Sequence, residues 1–119
     1  MNRLLQGDTG SVFGCGLAAF NRKLRIYYLE AGLRSGNLQH PYPEEGYRQM
    51  IARIADVNFA PTELSSDNLK NEKVHGETFV VGNSVLDNLT DLGVNSIYNA
   101  LRLGQNTGSA SGLEPYQYD

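Results

Sequence analysis

Short segments rich in aliphatic and aromatic residues alternate with stretches of helical periodicity, and this alternation limits the fold more than any other feature. The apolar segments predict strands near Asn2–Gln6, Arg25–Leu29, Val57–Ala60 and Thr78–Val81. The periodic stretches predict helices near Ser11–Asn21, Glu44–Ala55, Thr62–Asn71 and Val85–Leu92. Strands that alternate with helices form parallel sheets, and continuously apolar strands suit a sheet covered on both faces. We therefore predict an α/β fold with a mainly parallel sheet.

Two of the predicted helices differ in how much of their surface is apolar. The helix near Ser11–Asn21 is apolar on most sides, so we expect it to be buried, with Cys15 in the core. Its Gly14 and Gly16 lower helix propensity and indicate close backbone packing. The helix that begins at Glu44 instead has one apolar stripe, as an amphipathic helix does. The stripe is formed by Tyr47, Met50, Ile51, Ile54 and Ala55.

Length, charge and cysteine content exclude several classes of protein. The 119 residues suit one small domain, and no apolar run approaches the ~18 residues of a membrane span. The N-terminus becomes polar too early for a signal peptide. A net charge of −3 argues against a broad nucleic-acid-binding face. A single cysteine and two separated histidines, His40 and His75, predict no disulfide and no metal site, and we expect a cytoplasmic protein.

Polar residues follow three of the four predicted strands at the point where each strand ends. The segments are Gly7–Thr9, Glu30–Arg34 and Gly82–Ser84. Parallel strands present their carboxyl ends at one edge of the sheet, where ligands bind in open α/β folds. We therefore expect the Asp8 and Glu30 carboxylates at the same edge, with Arg34 or Arg48 within hydrogen-bonding distance of at least one. Glu44 completes this acidic edge, and such carboxylates can serve as acid and base.

Each of these residues also has a purely structural interpretation. Asp8 and Thr9 can cap the following helix, and Glu44 with Glu45 can complement a helix dipole. Arg34 can be the partner that a carboxylate at a buried strand end requires. Patterns alone therefore establish an α/β domain with an acidic ligand edge and nothing more specific.

Several of these segments, taken in order, resemble the non-hydrolysing UDP-N-acetylglucosamine 2-epimerases. The resemblance runs from about Leu4 to Leu89, and its order along the chain makes it specific. The matching segments are Gln6–Thr9, Leu17–Phe20, Glu30–Asn37, Pro41–Glu45, Arg48–Gln49, Phe59–Glu63 and Gly82–Asp87.

The resemblance implies a piece of a two-domain, GT-B-like fold whose active site lies between two Rossmann-like domains. Residues 1–92 resemble the second half of the first domain, residues 93–103 the start of the interdomain connection, and residues 104–119 have the composition of a disordered tail. The family interconverts UDP-GlcNAc and UDP-ManNAc by anti-elimination and re-addition of UDP, for polysaccharide precursors. It implies a UDP-sugar substrate, no cofactor and a homodimeric full-length enzyme.

Family motifs also imply roles for individual residues. The implied catalytic carboxylates are Asp8, Glu30 and Glu44. The implied substrate-binding residues are Arg34, Arg48, Gly82, Asn83 and Ser84. Which carboxylate serves which face of the sugar stays open. The chain departs from the family at Tyr28-Leu29, where His-Val is usual, and at Gly10-Ser11 after Asp8-Thr9.

Two classes of function follow from this interpretation. The first is an epimerase of which this chain is one part. No segment of this sequence resembles the family's second domain or its catalytic histidine, so we expect the chain to be inactive by itself. The second is a non-catalytic module that binds a sugar nucleotide or a partner. A glycosyltransferase half would share the architecture but would not explain Asp8, Glu30 and Glu44 together.

Overall fold

Four parallel strands form the centre of the molecule. The computed structural model describes residues 2–82, 85–86 and 93–108, with backbone alone for residue 2 and residues 104–108. The strands are β1 (Asn2–Gln6), β2 (Arg25–Leu29), β3 (Val57–Ala60) and β4 (Glu77–Val80), and they pair in the order β1-β2-β3-β4. Every pairing is parallel, as the sequence predicts.

Helices connect the strands, and the first and last residues of these connecting helices lie within one residue of the predicted bounds. They are α1 (Gly10–Asn21), α2 (Glu44–Ile54) and α3 (Glu63–Asn71), and a further helix, α4 (Val94–Gly108), follows β4. Thr9 caps α1 and Thr62 caps α3, because each side-chain oxygen accepts a backbone N–H three residues later. Apart from Val85 and Leu86, the helix predicted at Val85–Leu92 lies outside the described residues.

Each face of the sheet has its own apolar core. One core lies under α1, α2 and α3 and contains Ile26, Tyr28 and Ile51. The other lies on the opposite face, where Tyr27 and Phe79 pack against Tyr98 of α4. Successive strand residues point to opposite faces, so a continuously apolar strand supplies both cores at once.

Helix α1 is less buried than its composition predicts. Only Gly16 and Ala19 are buried, whereas Leu17 and Phe20 are 43% and 53% exposed. Cys15 is also exposed, so the prediction that it packs in the core is wrong. The reason is that this small sheet contacts α1 along one stripe, and α2 covers only one further side. Gly16 does mark a close contact, with Leu5 of β1, as expected.

Helix α2 is rotated slightly from its predicted orientation. Met50, predicted in the apolar stripe, is 44% exposed, whereas the charged Glu45 is completely buried. Glu45 lies seven residues before the buried Ala52, which places both on one helix face. The buried face therefore includes a carboxylate that a count of apolar residues does not identify.

Helix α4 is a feature that the sequence periodicity did not indicate. Its Tyr98 is buried against the sheet, and the Tyr98 hydroxyl donates a hydrogen bond to Glu77 at the start of β4. The helix continues past residue 104, where the tail was predicted to begin, so residues 104–108 have helical backbone. Residues 109–119 lie outside the described residues. None of the helices in the described part of the chain has the length and apolarity needed to cross a bilayer.

A glycine fixes the loop that leaves β2. Gly32 has φ +97°, and a Cβ at this position would clash with the backbone carbonyl of Ser65 at the start of α3. The Gly32 carbonyl also accepts a hydrogen bond of 3.0 Å from the Asn68 side chain. The loop can approach α3 this closely only because residue 32 has no side chain.

We expect Gly32→Ala to lower the free energy of unfolding by about 2 kcal/mol or more, because strain at a positive φ adds to a backbone clash. The matched control is Gly14→Ala, since a Cβ at Gly14 of α1 meets nothing within 4 Å. That change should raise the free energy of unfolding by up to about 1 kcal/mol through helix propensity. Urea unfolding measures both, and equal effects of the two substitutions would contradict the assignment.

Candidate active site

A small cavity opens at the carboxyl edge of the sheet, where β1 and β2 end. Gln6 of β1 pairs with Leu29 of β2, so the residues that follow the two strands leave the sheet side by side. The cavity has a volume of about 160 Å³. It is lined by Gly7, Asp8, Tyr28, Glu30, Leu33 and Arg48. The parallel topology therefore brings together two of the three predicted carboxylates.

Asp8 forms an ion pair with Arg48 across the cavity. The Arg48 Nε and Nη2 atoms lie 3.0 Å and 2.9 Å from Oδ2 of Asp8. Asp8 does not cap α1, because Thr9 does so. The prediction that Arg34 or Arg48 reaches one of the carboxylates is therefore confirmed, and Arg48 is the residue that does so.

Glu30 is held at the cavity by an unusual backbone conformation. Its φ is +55°, in the left-handed region that non-glycine residues rarely adopt, and its side chain is exposed. The next residue, Ala31, is completely buried, and its N–H donates to the Phe59 carbonyl at 2.9 Å. Ala31 thus keeps the chain in the sheet while Glu30 projects from it. Strain of this kind is concentrated at functional sites.

Tyr28 supports the turn that carries Asp8. Its hydroxyl donates a 2.9 Å hydrogen bond to the carbonyl of Gly7, the residue before Asp8. Burial raises the pKa of Tyr28 to about 12, and the nearby carboxylates of Asp8 and Glu30 add to this shift, against Arg34 and Arg48. Tyr28 is therefore a neutral donor throughout the ordinary pH range.

Glu45 is a buried carboxylate beside the cavity that sequence reasoning did not select. Its carboxylate accepts hydrogen bonds from the N–H groups of Ser35 and Gly36, at 3.0 Å and 3.2 Å, and from the side chains of Arg48 and Gln49. Burial raises the pKa of the Glu45 carboxyl, but the hydrogen bonds from Ser35, Gln49 and Gly36, together with the positive charge of Arg34, outweigh burial, and the net pKa is lowered. The only signal in the sequence is the spacing of Glu45 from Arg48 and Gln49, one helical turn later.

The remaining predicted site residues lie elsewhere or outside the described part of the chain. The Arg34 guanidinium pairs with Glu72, the residue directly after α3, at 2.7 Å from Nε and 3.0 Å from Nη2, and does not line the cavity. Glu44 is the half-buried first residue of α2 and does not line it either. Gly82 is exposed after β4, and its carbonyl accepts the N–H of Val85. Asn83 and Ser84 lie outside the described residues.

The chemistry available at this edge is acid–base chemistry with a fixed cation. Two carboxylates share the cavity, one paired with a guanidinium and one exposed. Among the described residues, no three His, Cys, Asp or Glu side chains are grouped so that they could hold a metal ion.

Comparison with known sequences decides the family. The family model for UDP-N-acetylglucosamine 2-epimerase matches residues 4–111. The chain belongs to this family. It is 47% identical over 87 residues to the UDP-N-acetylglucosamine 2-epimerase of Bacillus subtilis, a match that covers 72% of this chain and 23% of that enzyme. The Neisseria meningitidis epimerase is 42% identical over the same number of residues. The chain thus spans about a quarter of the length of these relatives.

Solved structures of the epimerase family agree with the fold. The Neisseria meningitidis enzyme bound to UDP-GlcNAc superposes with a TM-score of 0.67 at 36% identity, covering 80% of this chain and 28% of that chain. The Methanocaldococcus jannaschii enzyme in complex with UDP-GlcNAc and UDP gives a TM-score of 0.65 at 34% identity, covering 83% and 29%. The four-stranded parallel sheet therefore corresponds to one part of the GT-B-like epimerase fold.

We expect Tyr28→Phe to lower the free energy of unfolding by about 1 kcal/mol at neutral pH, through loss of the hydrogen bond to Gly7. Because the pKa of Tyr28 is raised on folding, the wild type should lose further stability as the pH rises from about 10 to 12, whereas the variant should not lose this component. Tyr42→Phe is the control, since Tyr42 is largely exposed and its removal should change little. Parallel pH profiles for wild type and Tyr28→Phe would contradict this assignment.

Proposed function

We propose that this chain supplies one wall of an active site that interconverts UDP-GlcNAc and UDP-ManNAc for polysaccharide precursors. The observation that carries the proposal is the pairing of Asp8 with Arg48 in a cavity that Glu30 also lines. Family membership supports the same substrate class, and two relatives of similar fold have been solved with UDP-GlcNAc.

The proposed reaction proceeds by anti-elimination and re-addition. A base removes the proton from C2 of the sugar while the bond from C1 to the diphosphate oxygen breaks, so UDP leaves with the bonding electrons and 2-acetamidoglucal forms. UDP then adds back to C1 as an acid delivers a proton to the opposite face of C2. Two acid/base groups on opposite faces are required, and their protonation states must differ.

Asp8 and Glu30 are the carboxylates we propose for this proton transfer, with Glu44 as a third candidate at the start of α2. Asp8 has a cationic partner and Glu30 is exposed, so their environments differ as the two roles require. Arg48 contributes positive charge beside the reacting sugar. Arg34, Gly82, Asn83 and Ser84 remain proposed substrate contacts through their match to family motifs.

Assembly of the full-length enzyme as a homodimer in the cytoplasm completes the proposal. Support for a homotypic contact comes from α1, which contains no charged residue and exposes Leu17 and Phe20. A groove of about 440 Å³ between α1 and α2 adjoins this face; Phe13 and Met50 line it, together with the charged Arg53 and Glu72. An uncharged apolar face can pack against its own copy without electrostatic repulsion.

We expect the chain alone not to catalyse epimerisation. Its cavity of about 160 Å³ is smaller than the roughly 300–1,000 Å³ of ordinary ligand pockets, so it encloses only part of a nucleotide sugar. A departing diphosphate also needs donors on both sides of the cleft, and each missing donor lowers the rate by about 10²–10³. NMR of UDP-GlcNAc in D₂O measures deuterium incorporation at C2. If the chain exchanges deuterium faster than buffer alone, and Glu30→Gln abolishes this exchange, one wall of the site is sufficient and the expectation is wrong.

A chimeric enzyme distinguishes between two hypotheses: that the chain is part of an epimerase, and that it is a non-catalytic module that binds a sugar nucleotide or a partner. We expect the Bacillus subtilis enzyme to keep epimerase activity when its matching segment of 87 residues is replaced by that of this chain. Asp8→Asn or Glu30→Gln in the chimera should lower kcat by about 10²–10⁴, the contribution of a general acid or base. Gln39→Ala, in the exposed loop after β2, is the control and should leave kcat unchanged. A folded but inactive chimera would favour the binding module.

A further inference from the structure

We propose that Glu45 is a positioning residue that fixes Arg48 against Asp8 and ties the Glu30 loop to α2. The inference rests on the proposed function only in treating the cavity as part of an active site. The positioning itself depends on contacts between residues of this chain. No family motif quoted above assigns a role to Glu45, and its side chain does not reach the cavity.

Three charged side chains form a row from the interior to the cavity. Glu45 is completely buried, the Arg48 side chain is 17% exposed and the Asp8 side chain is 33% exposed. Arg48 lies between the two carboxylates, with Nη1 at 3.4 Å from Oε1 of Glu45, and with Nε and Nη2 directed to Asp8. A guanidinium is a planar fork, so a contact at Nη1 restricts the direction in which the other nitrogens point.

The same carboxylate fixes the loop that follows Glu30. Oε1 accepts the N–H of Ser35 and Oε2 accepts the N–H of Gly36, so one side chain of α2 holds two consecutive backbone donors. These donors lie five and six residues after Glu30 in the chain. Glu45 therefore connects both halves of the acidic edge: Arg48 with Asp8 on one side, and the loop after Glu30 on the other.

Only a carboxylate satisfies these four donors. Each Glu45 oxygen accepts two hydrogen bonds, one of them from a backbone N–H that cannot reorient. In Glu45→Gln the new amide NH₂ faces either Ser35 and Arg48 or Gly36 and Gln49. Rotation of the Gln49 amide relieves one of these donor–donor contacts but not the one with the backbone. A buried, unsatisfied donor is expensive, so the loop and Arg48 must move.

Hydrogen exchange at the Arg48 side chain tests the proposal in the chain itself, without substrate. The Nε–Hε signal of Arg48 is assigned by its loss in Arg48→Lys and followed by ¹H–¹⁵N NMR. We expect Glu45→Gln to accelerate its exchange about tenfold or more, which corresponds to loss of one hydrogen bond to a charged group. Unchanged exchange in a folded Glu45→Gln protein would overturn the proposal.

A milder variant keeps the test decisive if Glu45→Gln does not fold. Gln49→Met removes one donor from Glu45, and in this structure Gln49 bonds to Glu45 rather than to Arg48. We expect about threefold faster exchange at Arg48, because only part of the effect of losing one hydrogen bond to the Glu45 carboxylate is transmitted to Arg48. No acceleration in this variant would equally count against the positioning role.

Two control variants separate positioning from stability. Phe79→Leu lowers stability from the core on the opposite face of the sheet and should leave the Arg48 signal unchanged. Asp56→Asn makes the same carboxylate-to-amide change at another buried site, where one backbone N–H, from Ile26, donates to one oxygen at 2.8 Å. An Arg48 signal that moves equally in these controls would show that Glu45 has only a structural role. Activity of the chimera tests the proposed function separately.

Discussion

The common direction of the four strands is the constraint on which the site depends. Because β1 and β2 are parallel and in register, the turns after Gln6 and Leu29 emerge next to each other. Each helix then begins at that same edge before it runs back along the sheet. Asp8 therefore lies just before α1, and the first turns of α2 carry Glu45 and Arg48. An antiparallel arrangement would place these groups at opposite ends of the sheet.

Local sequence signals predict the sheet well because they depend on nearest neighbours. A strand with apolar residues on both faces is recognisable from its own residues, and Thr9 and Thr62 mark helix starts by capping chemistry that is also local. The pairing of Asp8 with Arg48, 40 residues apart, follows from topology once the strands are known to be parallel. This is why the position of the site could be predicted before its detailed contacts.

Predictions failed where burial is decided by partners distant in the chain. Glu45 is buried because loop donors at Ser35 and Gly36 replace water, and no property of α2 alone indicates those donors. Conversely, Leu17 and Phe20 are apolar but exposed, since a helix beside a four-stranded sheet buries only the stripe that touches it. Arg34 was expected near the carboxylates of the acidic edge and instead pairs with Glu72, which α3 brings close.

Tyr28 stands where the resemblance to the epimerases implies a histidine, and its hydroxyl supports the turn that carries Asp8. An imidazole titrates near pH 6.5, so its hydrogen bonding and charge change within the ordinary pH range. The Tyr28 phenol, with its pKa raised to about 12, stays neutral, and its hydroxyl donates a hydrogen bond to the Gly7 carbonyl. That bond stiffens the turn before Asp8, whereas Glu30 is kept in its left-handed conformation by the buried Ala31, whose N–H donates to the Phe59 carbonyl. Asp8 is thus held from two directions, by Tyr28 through the backbone and by Arg48 through the side chain, whereas Glu30 depends on the loop that Glu45 anchors.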